Sequence, residues 1–176
     1  MNIFVVLLRG VMPRGKNKVP MADLRVALTE AGFVDVQTYI QSGNVIVTTD
    51  LNALEVERLV HDTIVQKIGA DVTVVAKTPA QLQQTLKDCP FPFELCARMY
   101  FTWLASKPAS SLIEAFVNIG FAPDEIKLEG DVIYALYASD EHSNSKFNNN
   151  YFERKLKVSA TTRNFNTLSR LIERMS

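Results

Sequence analysis

The string Cys89-Pro90-Phe91-Pro92-Phe93 divides this sequence, and the same succession of local patterns runs on either side of it. Two prolines flanking one residue remove backbone donors and fix φ, so no regular element continues through them. Before the break, residues 2–9 are apolar on both faces, the pattern of a central, fully covered strand. Pro20 opens a helix with Met21, Leu24, Leu28 and Ala31 at helical spacing, and Gly32 stops it. Residues 36–40 and 45–48 are β-rich runs around a short turn, Gln41-Ser42-Gly43-Asn44. Residues 51–68 form an amphipathic helix closed by Gly69, and residues 72–76 a strand.

After the break the order begins again. Residues 98–104 read as a strand; Leu112, Phe116 and Ile119 mark a helix ended by Gly120; residues 125–128 and 132–137 form a hairpin around Gly130-Asp131. Residues 148–156 are helical, 158–160 a short strand, and 165–175 a closing helix with Leu168, Leu171, Ile172 and Met175 inward. Written twice, β-α-β-β-α-β predicts an α+β fold of two ferredoxin-like (βαββαβ) lobes in tandem. Their sheets are expected to be antiparallel with helices on one face, plus a C-terminal helix. The boundaries expected are 1–78 for the first lobe, 79–97 for a connecting helix and Pro/Phe linker, and 98–176 for the second. At about 150 residues per domain, a chain of 176 is one domain or two small lobes sharing a core, and the lobes are expected to pack as one cooperative body.

Charge is uneven along this neutral chain. Residues 1–18 carry Arg9, Arg14, Lys16 and Lys18 with no acid, whereas residues 19–141 hold 8 basic and 17 acidic side chains. Residues 142–170 hold six basic side chains against Glu153 alone. Brought together by folding, the two basic ends would make a local positive field suited to phosphate, with the acidic middle limiting indiscriminate binding. The plainer alternative is that each basic residue pairs with an acid of the middle region. Only Cys89 and Cys96 are present, which excludes a disulfide scaffold, and the apolar run at residues 3–8 is too short for a secretion signal or a membrane span. A soluble, cytoplasmic protein with no membrane partner is expected.

Three polar stretches stand out. Gly10-Val11-Met12-Pro13-Arg14-Gly15-Lys16-Asn17 follows a strand and nearly spells a phosphate-binding loop, G-x-x-x-x-G-K-[ST]. Asn17 occupies the position of the magnesium-binding hydroxyl, Val19-Pro20 delays the helix, and no apolar strand ending in Asp follows, which argues against nucleotide hydrolysis. A cationic, glycine-containing loop ahead of a helix can still hold an anion through Lys16 or Lys18; a solvated surface loop explains it as well. In the turn, Gln41, Ser42 and Asn44 could contact a base or sugar, but the turn itself accounts for them unless the cationic loop lies beside it. Near the end, Ser145 or Asn148 can cap one helix, with Arg154 and Lys155 at its basic end, and Thr162 or Asn164 the next. Ala160-Thr161-Thr162-Arg163-Asn164 gathers hydroxyls, an amide and a guanidinium at what reads as a helix start, a candidate phosphate pocket.

Catalytic constellations are poor. His61 reads as a helix-surface residue, His142 as a loop residue with no fixed partner, and the two are too far apart for a zinc site. Cys89 and Cys96 read as small buried groups, Phe91, Phe93 and Trp103 as core rather than a stacking platform, and Glu153 as an acid or base or an ion-pair partner of Arg154. No triad, dinucleotide fingerprint, metal set or cofactor signature is present, so the catalytic residues are unknown, with no metal and no cofactor expected.

The strings LLRG with GKNKVPMADLR, TYIQSGNVIV and ERKLKVSATTRNFNT resemble, in order and spacing, an uncharacterised, mainly bacterial family known as domain of unknown function number sixteen ninety-seven. The resemblance implies an α+β structure of two ferredoxin-like halves and no established activity. Arg9, Lys16, Lys18, Gln41, Ser42, Asn44, Arg154, Thr162, Arg163 and Asn164 match its pattern and are carried over as binding candidates. Members usually carry an Asn where Met12 stands and a Gly where Arg14 stands, so any ligand contact that the Asn makes elsewhere is lost or altered here. The leading expectation is a module binding a phosphate-bearing ligand, a nucleotide or short nucleic acid, at a basic cleft. The alternatives are a small-molecule enzyme acting on a phosphorylated metabolite through Glu153, or a structural or homo-oligomerising protein whose polar motifs only cap helices and turns.

Overall fold

The structure, a computed structural model, describes residues 1–176 apart from the side chain of His142. The expectation that His142 lacks a fixed partner therefore lies outside the described residues. The fold is mixed α+β with two four-stranded antiparallel sheets. The first half runs β1 (Asn2–Arg9), α1 (Met21–Glu30), β2 (Val34–Tyr39), β3 (Asn44–Thr49), α2 (Ala53–Lys67) and β4 (Thr73–Lys77). After α3 (Pro79–Lys87) and a 3-10 segment at Phe93–Arg98 come β5 (Met99–Leu104), α4 (Ser110–Val117), β6 (Glu125–Glu129), β7 (Val132–Leu136), α5 (Asn149–Leu156), β8 (Ala160–Asn164) and α6 (Phe165–Arg174). The chain divides into two units, Met1–Gln84 with Leu171–Ser176, and Thr85–Arg170.

In the first unit the strand order is β2-β3-β1-β4, and every neighbouring pair is antiparallel. β1 sits in the middle because its residues can be buried on both faces: Phe4, Val5, Val6, Leu7 and Leu8 are all buried. Phe4, Val6 and Leu8 join Val45 and Val47 of β3 and Val74 of β4 in one core cluster with Leu24 and Leu28 of α1 and Val56, Val60 and Ile64 of α2. Both helices thus cover the same face of this sheet. α2 begins with a reciprocal cap: Glu55 donates its N–H to Asn52 Oδ1 at 3.0 Å, and Asn52 donates its own to Glu55 Oε2 at 2.8 Å. The cap sets the start at Ala53, two residues later than hydrophobic periodicity alone indicates.

The second unit repeats the arrangement with the order β6-β7-β5-β8. Its cluster joins Leu104, Ile133 and Ala135 to Phe116 of α4 and Phe152 and Leu156 of α5. Aromatic rings fill it, with Phe116 and Phe152 centroids 5.9 Å apart and Phe121 and Phe147 5.0 Å apart, both edge-on. Asn148 caps α5 through the Tyr151 N–H at 3.0 Å, whereas Ser145 takes the Phe147 N–H and donates to Asp124.

One element differs from its sequence reading. A three-residue strand was expected, followed by a polar helix start; the structure has a five-residue edge strand, β8, paired with β5 from Ala160↔Leu104 to Asn164↔Tyr100. β-branched Thr161 and Thr162 suit a strand, yet a Thr-Thr-Arg-Asn run has no apolar alternation to announce one.

The outer strands β4 and β8 end their sheets, which leaves outward amides without a strand partner inside each sheet. A glutamate answers this in both units from the same place, the fifth residue of the preceding helix. Glu57 Oε1 accepts the Ala76 N–H at 2.9 Å, and Glu153 Oε2 accepts the Ala160 N–H at 3.0 Å. Burial pushes the Glu57 carboxyl above its ordinary range, an effect partly offset by the Ala76 amide and by Lys77. A carboxyl raised on folding favours the protonated native state, a contribution complete below the unfolded pKa and lost as pH climbs through the folded one. Glu57→Gln, which retains an acceptor and removes the charge, should therefore melt at or above the wild-type temperature at pH 7. Glu57→Ala, which strands the amide, should lose about 1–3 kcal/mol in urea unfolding.

Candidate functional site

The cationic loop and the hairpin turn meet in the first unit. Beyond β1 the chain turns through residues 10–18, where Gly10 and Gly15 adopt positive φ and Met12 donates its N–H to Asn17 O at 2.8 Å. A one-residue bridge joins Met12 to Lys18. Asn17, at the position a magnesium-binding hydroxyl would occupy, instead accepts the Asp71 N–H at 3.2 Å and so ties the loop to the segment before β4. At the other side, Leu8 donates its N–H to Gly43 O at 2.9 Å. Gly43 has φ +89°, and a Cβ there would lie 2.7 Å from Leu8 Cβ and 3.1 Å from Val11 Cγ2. Only a glycine lets the turn come this close.

Two hollows result, sharing Lys18 and Pro20. One, of about 340 Å³, is lined by Val11, Met12, Pro13, Lys18, Val19, Pro20, Gln41 and Ser42. The other, of about 480 Å³, lies over the start of α1 and the end of α2, with Lys16, Lys18 and Lys67 set against Asp23. Lys16 and Lys18 are exposed and form no ion pair among the described residues; Lys67 is 3.8 Å from Glu30. Pro20 provides no side-chain cap, so the first turn of α1 keeps its amides unclaimed by a capping side chain.

The other candidates have their own places. Arg9 is half-buried at the end of β1 opposite Thr73. Asn44 is wholly buried and donates through Nδ2 to Tyr39 O and Ser42 Oγ, both at 3.0 Å, which makes it the brace of the turn. Arg154, Thr162, Arg163 and Asn164 belong to the second unit. Arg154 lies 5.4 Å from the Tyr151 ring. Thr162 bonds Thr102 and Asn149, both at 2.7 Å; Asn164 caps α6 through the Thr167 N–H at 2.9 Å. Arg163 is buried and donates to Thr161 Oγ1 and Thr162 O at 2.7 and 2.8 Å. The feature that sequence reasoning missed is Arg174, whose guanidinium lies 4.9 Å from the ring of Tyr39, the last residue of β2 before the turn. A cation–π contact across so many residues leaves no local signal.

Beside the loop, His61 Nε2 is 2.9 Å from Asp71 Oδ1 and Nδ1 is 3.3 Å from Asp62 Oδ1. The Asp71 hydrogen bond, and then Asp62, raise the imidazole above its usual pKa in spite of slight desolvation. Cys89 and Cys96 are free and half-buried, and burial raises the Cys89 thiol, the opposite of an activated nucleophile. Phe91 and Trp103 are buried; Phe93 is exposed, its ring 5.8 Å from Phe165. Among the described residues no group of three or more His, Cys, Asp or Glu could hold a metal ion, and no helix is long and apolar enough to cross a membrane.

An α+β protein with two equivalent sheets and a lysine-lined loop beside a hairpin turn is what the geometry defines. By sequence the chain belongs to a family of proteins of unknown function, DUF1697, whose model matches residues 1–134. Its fold is similar to that of the conserved bacterial protein SP0830 from Streptococcus pneumoniae, with a TM-score of 0.78 over 99% of both chains at 19% identity. No curated protein matches the chain.

Two outcomes follow from this geometry. Gly43→Ala adds a methyl against the stem of buried Leu8 at a positive φ and should lose about 2–4 kcal/mol by chemical denaturation. Because His61 is raised on folding, its stabilising link to Asp71 is complete below about pH 6.5 and fades as pH rises through the higher folded value. The melting temperature should carry a small decline as pH rises above about 6.5 that is absent in His61→Gln.

Proposed function

We propose that both units are ferredoxin-like lobes in tandem and that the first is a module binding a phosphate-bearing ligand in its basic cleft. The architectural part is supported by the order β-α-β-β-α-β in each half and by the matching strand orders β2-β3-β1-β4 and β6-β7-β5-β8. The binding part rests on one observation: Lys16, Lys18 and Lys67 line a hollow of about 480 Å³ whose only acid is Asp23. Lys16 and Lys18, which form no ion pair among the described residues, and Lys67, whose contact with Glu30 is a solvent-exposed one at 3.8 Å, favour a multiply charged anion whose oxygens take their N–H donors. Gln41 and Ser42 would orient the remainder of the ligand from the adjoining turn. A cytoplasmic location accords with the free Cys89 and Cys96.

This reading moves the weight of binding to Lys16 and Lys18. Glu153 accepts the Ala160 N–H, a structural role that supports a binding module over an enzyme acting through this carboxylate. Titration with inorganic phosphate in low-salt buffer, followed by calorimetry, should give saturable binding that weakens as salt rises. Lys16→Ala and Lys18→Ala should each weaken it about five- to tenfold, with melting temperatures unchanged because both side chains are exposed. Phosphate binding untouched by either substitution would refute the assignment.

A further inference from the structure

A second hollow adjoins the lysine-lined one. It shares Lys18 and Pro20 with the lysine-lined hollow, yet five of its eight lining residues are apolar: Val11, Met12, Pro13, Val19 and Pro20. Met12 is 54% exposed, an unusual outlay of apolar surface on a loop tip unless something covers it. Besides Lys18, the polar lining residues of this hollow are Gln41 and Ser42. The Gln41 carboxamide is exposed and takes no partner among the described residues, so its donor and its acceptor both face solvent.

We infer that the two hollows are halves of one site for a mononucleoside phosphate, with the phosphate among Lys16, Lys18 and Lys67 and the flat heterocycle between Met12, Pro13 and Val19. This rests on the phosphate-binding reading above and deepens it. Two proline rings give rigid walls and the Met12 thioether an adaptable one, a combination that accepts a planar ring. The hydrogen-bonding edge of that ring faces the Gln41 carboxamide, which can donate and accept at once. A bare phosphate or a sugar phosphate would leave these apolar walls wet. A nucleic-acid strand is disfavoured by the acids beside the lysines: Asp23 in the hollow and Glu30, 3.8 Å from Lys67, would repel a polyanion extending past the cleft.

The test is calorimetric titration of the full chain with inorganic phosphate, purine and pyrimidine nucleoside monophosphates, adenosine, and a short single-stranded oligonucleotide. At least one nucleoside monophosphate should bind tenfold or more tightly than inorganic phosphate, and more tightly per site than the oligonucleotide. Met12→Ser and Gln41→Ala should narrow that gap, while Lys18→Ala should weaken phosphate and nucleotide together; circular dichroism confirms that each variant is folded. Equal affinity for phosphate and every nucleotide overturns the nucleotide inference and leaves the phosphate reading standing. A preference for the oligonucleotide also overturns it. Failure of all probes to bind removes both.

Discussion

The geometry of the first unit depends on one close approach, the backbone of Gly43 against Leu8. Leu8 ends the buried run of β1, and its amide reaches the carbonyl of Gly43 at 2.9 Å. No side chain stands between them, so the β2–β3 turn rests directly on the place where β1 gives way to the loop of residues 10–18. Asn44, wholly buried, ties the same turn to Tyr39 and Ser42. From the other side Asn17 fastens the loop to Asp71, which His61 holds in turn. A loop pinned at both ends presents its lysines at fixed places, which lowers the ordering cost of holding a ligand.

Much of this architecture could be read from periodicity and punctuation. β1 declared itself by being apolar on both faces, α1 by Pro20 and Gly32, and the repeat by the Pro-Phe-Pro break. What stayed hidden depended on partners distant in sequence. The turn at residues 41–44 explained itself locally; that Val11 and Met12 would line a hollow with Gln41 and Ser42 needed the β1–β3 pairing in three dimensions. β8 misled because a strand at a sheet edge can be built from threonines, and its arginine is buried by bonding to its own neighbours. Arg174 on Tyr39 was out of reach for the same reason.

The neutral net charge conceals how the cations are used. Arg163 is consumed by local hydrogen bonds, and Arg154 and Lys155 lie near the face of Tyr151 at 5.4 and 5.6 Å. Lys16 and Lys18, in contrast, form no ion pair among the described residues and stand around a concavity that also holds Asp23. The basic residues at the two ends of the chain are therefore placed differently: Arg163, Arg154 and Lys155 are engaged by local partners, whereas Lys16 and Lys18 are exposed and form no ion pair among the described residues.

The glutamates of the fifth helical position have a consequence for the protein as a crowded solute. A strand that ends a sheet is a template on which another polypeptide can stack, and fibrils grow from such templates. The opposite edges of the two sheets meet that risk differently: β2 is distorted by an irregular register between Val34 and Gln37, and β6 alternates Glu125, Lys127 and Glu129. At β4 and β8 a carboxylate takes an outward amide, Glu57 that of Ala76 and Glu153 that of Ala160. At those two borders, then, an outward amide that could start such a stack is already engaged by a side chain of the chain's own preceding helix.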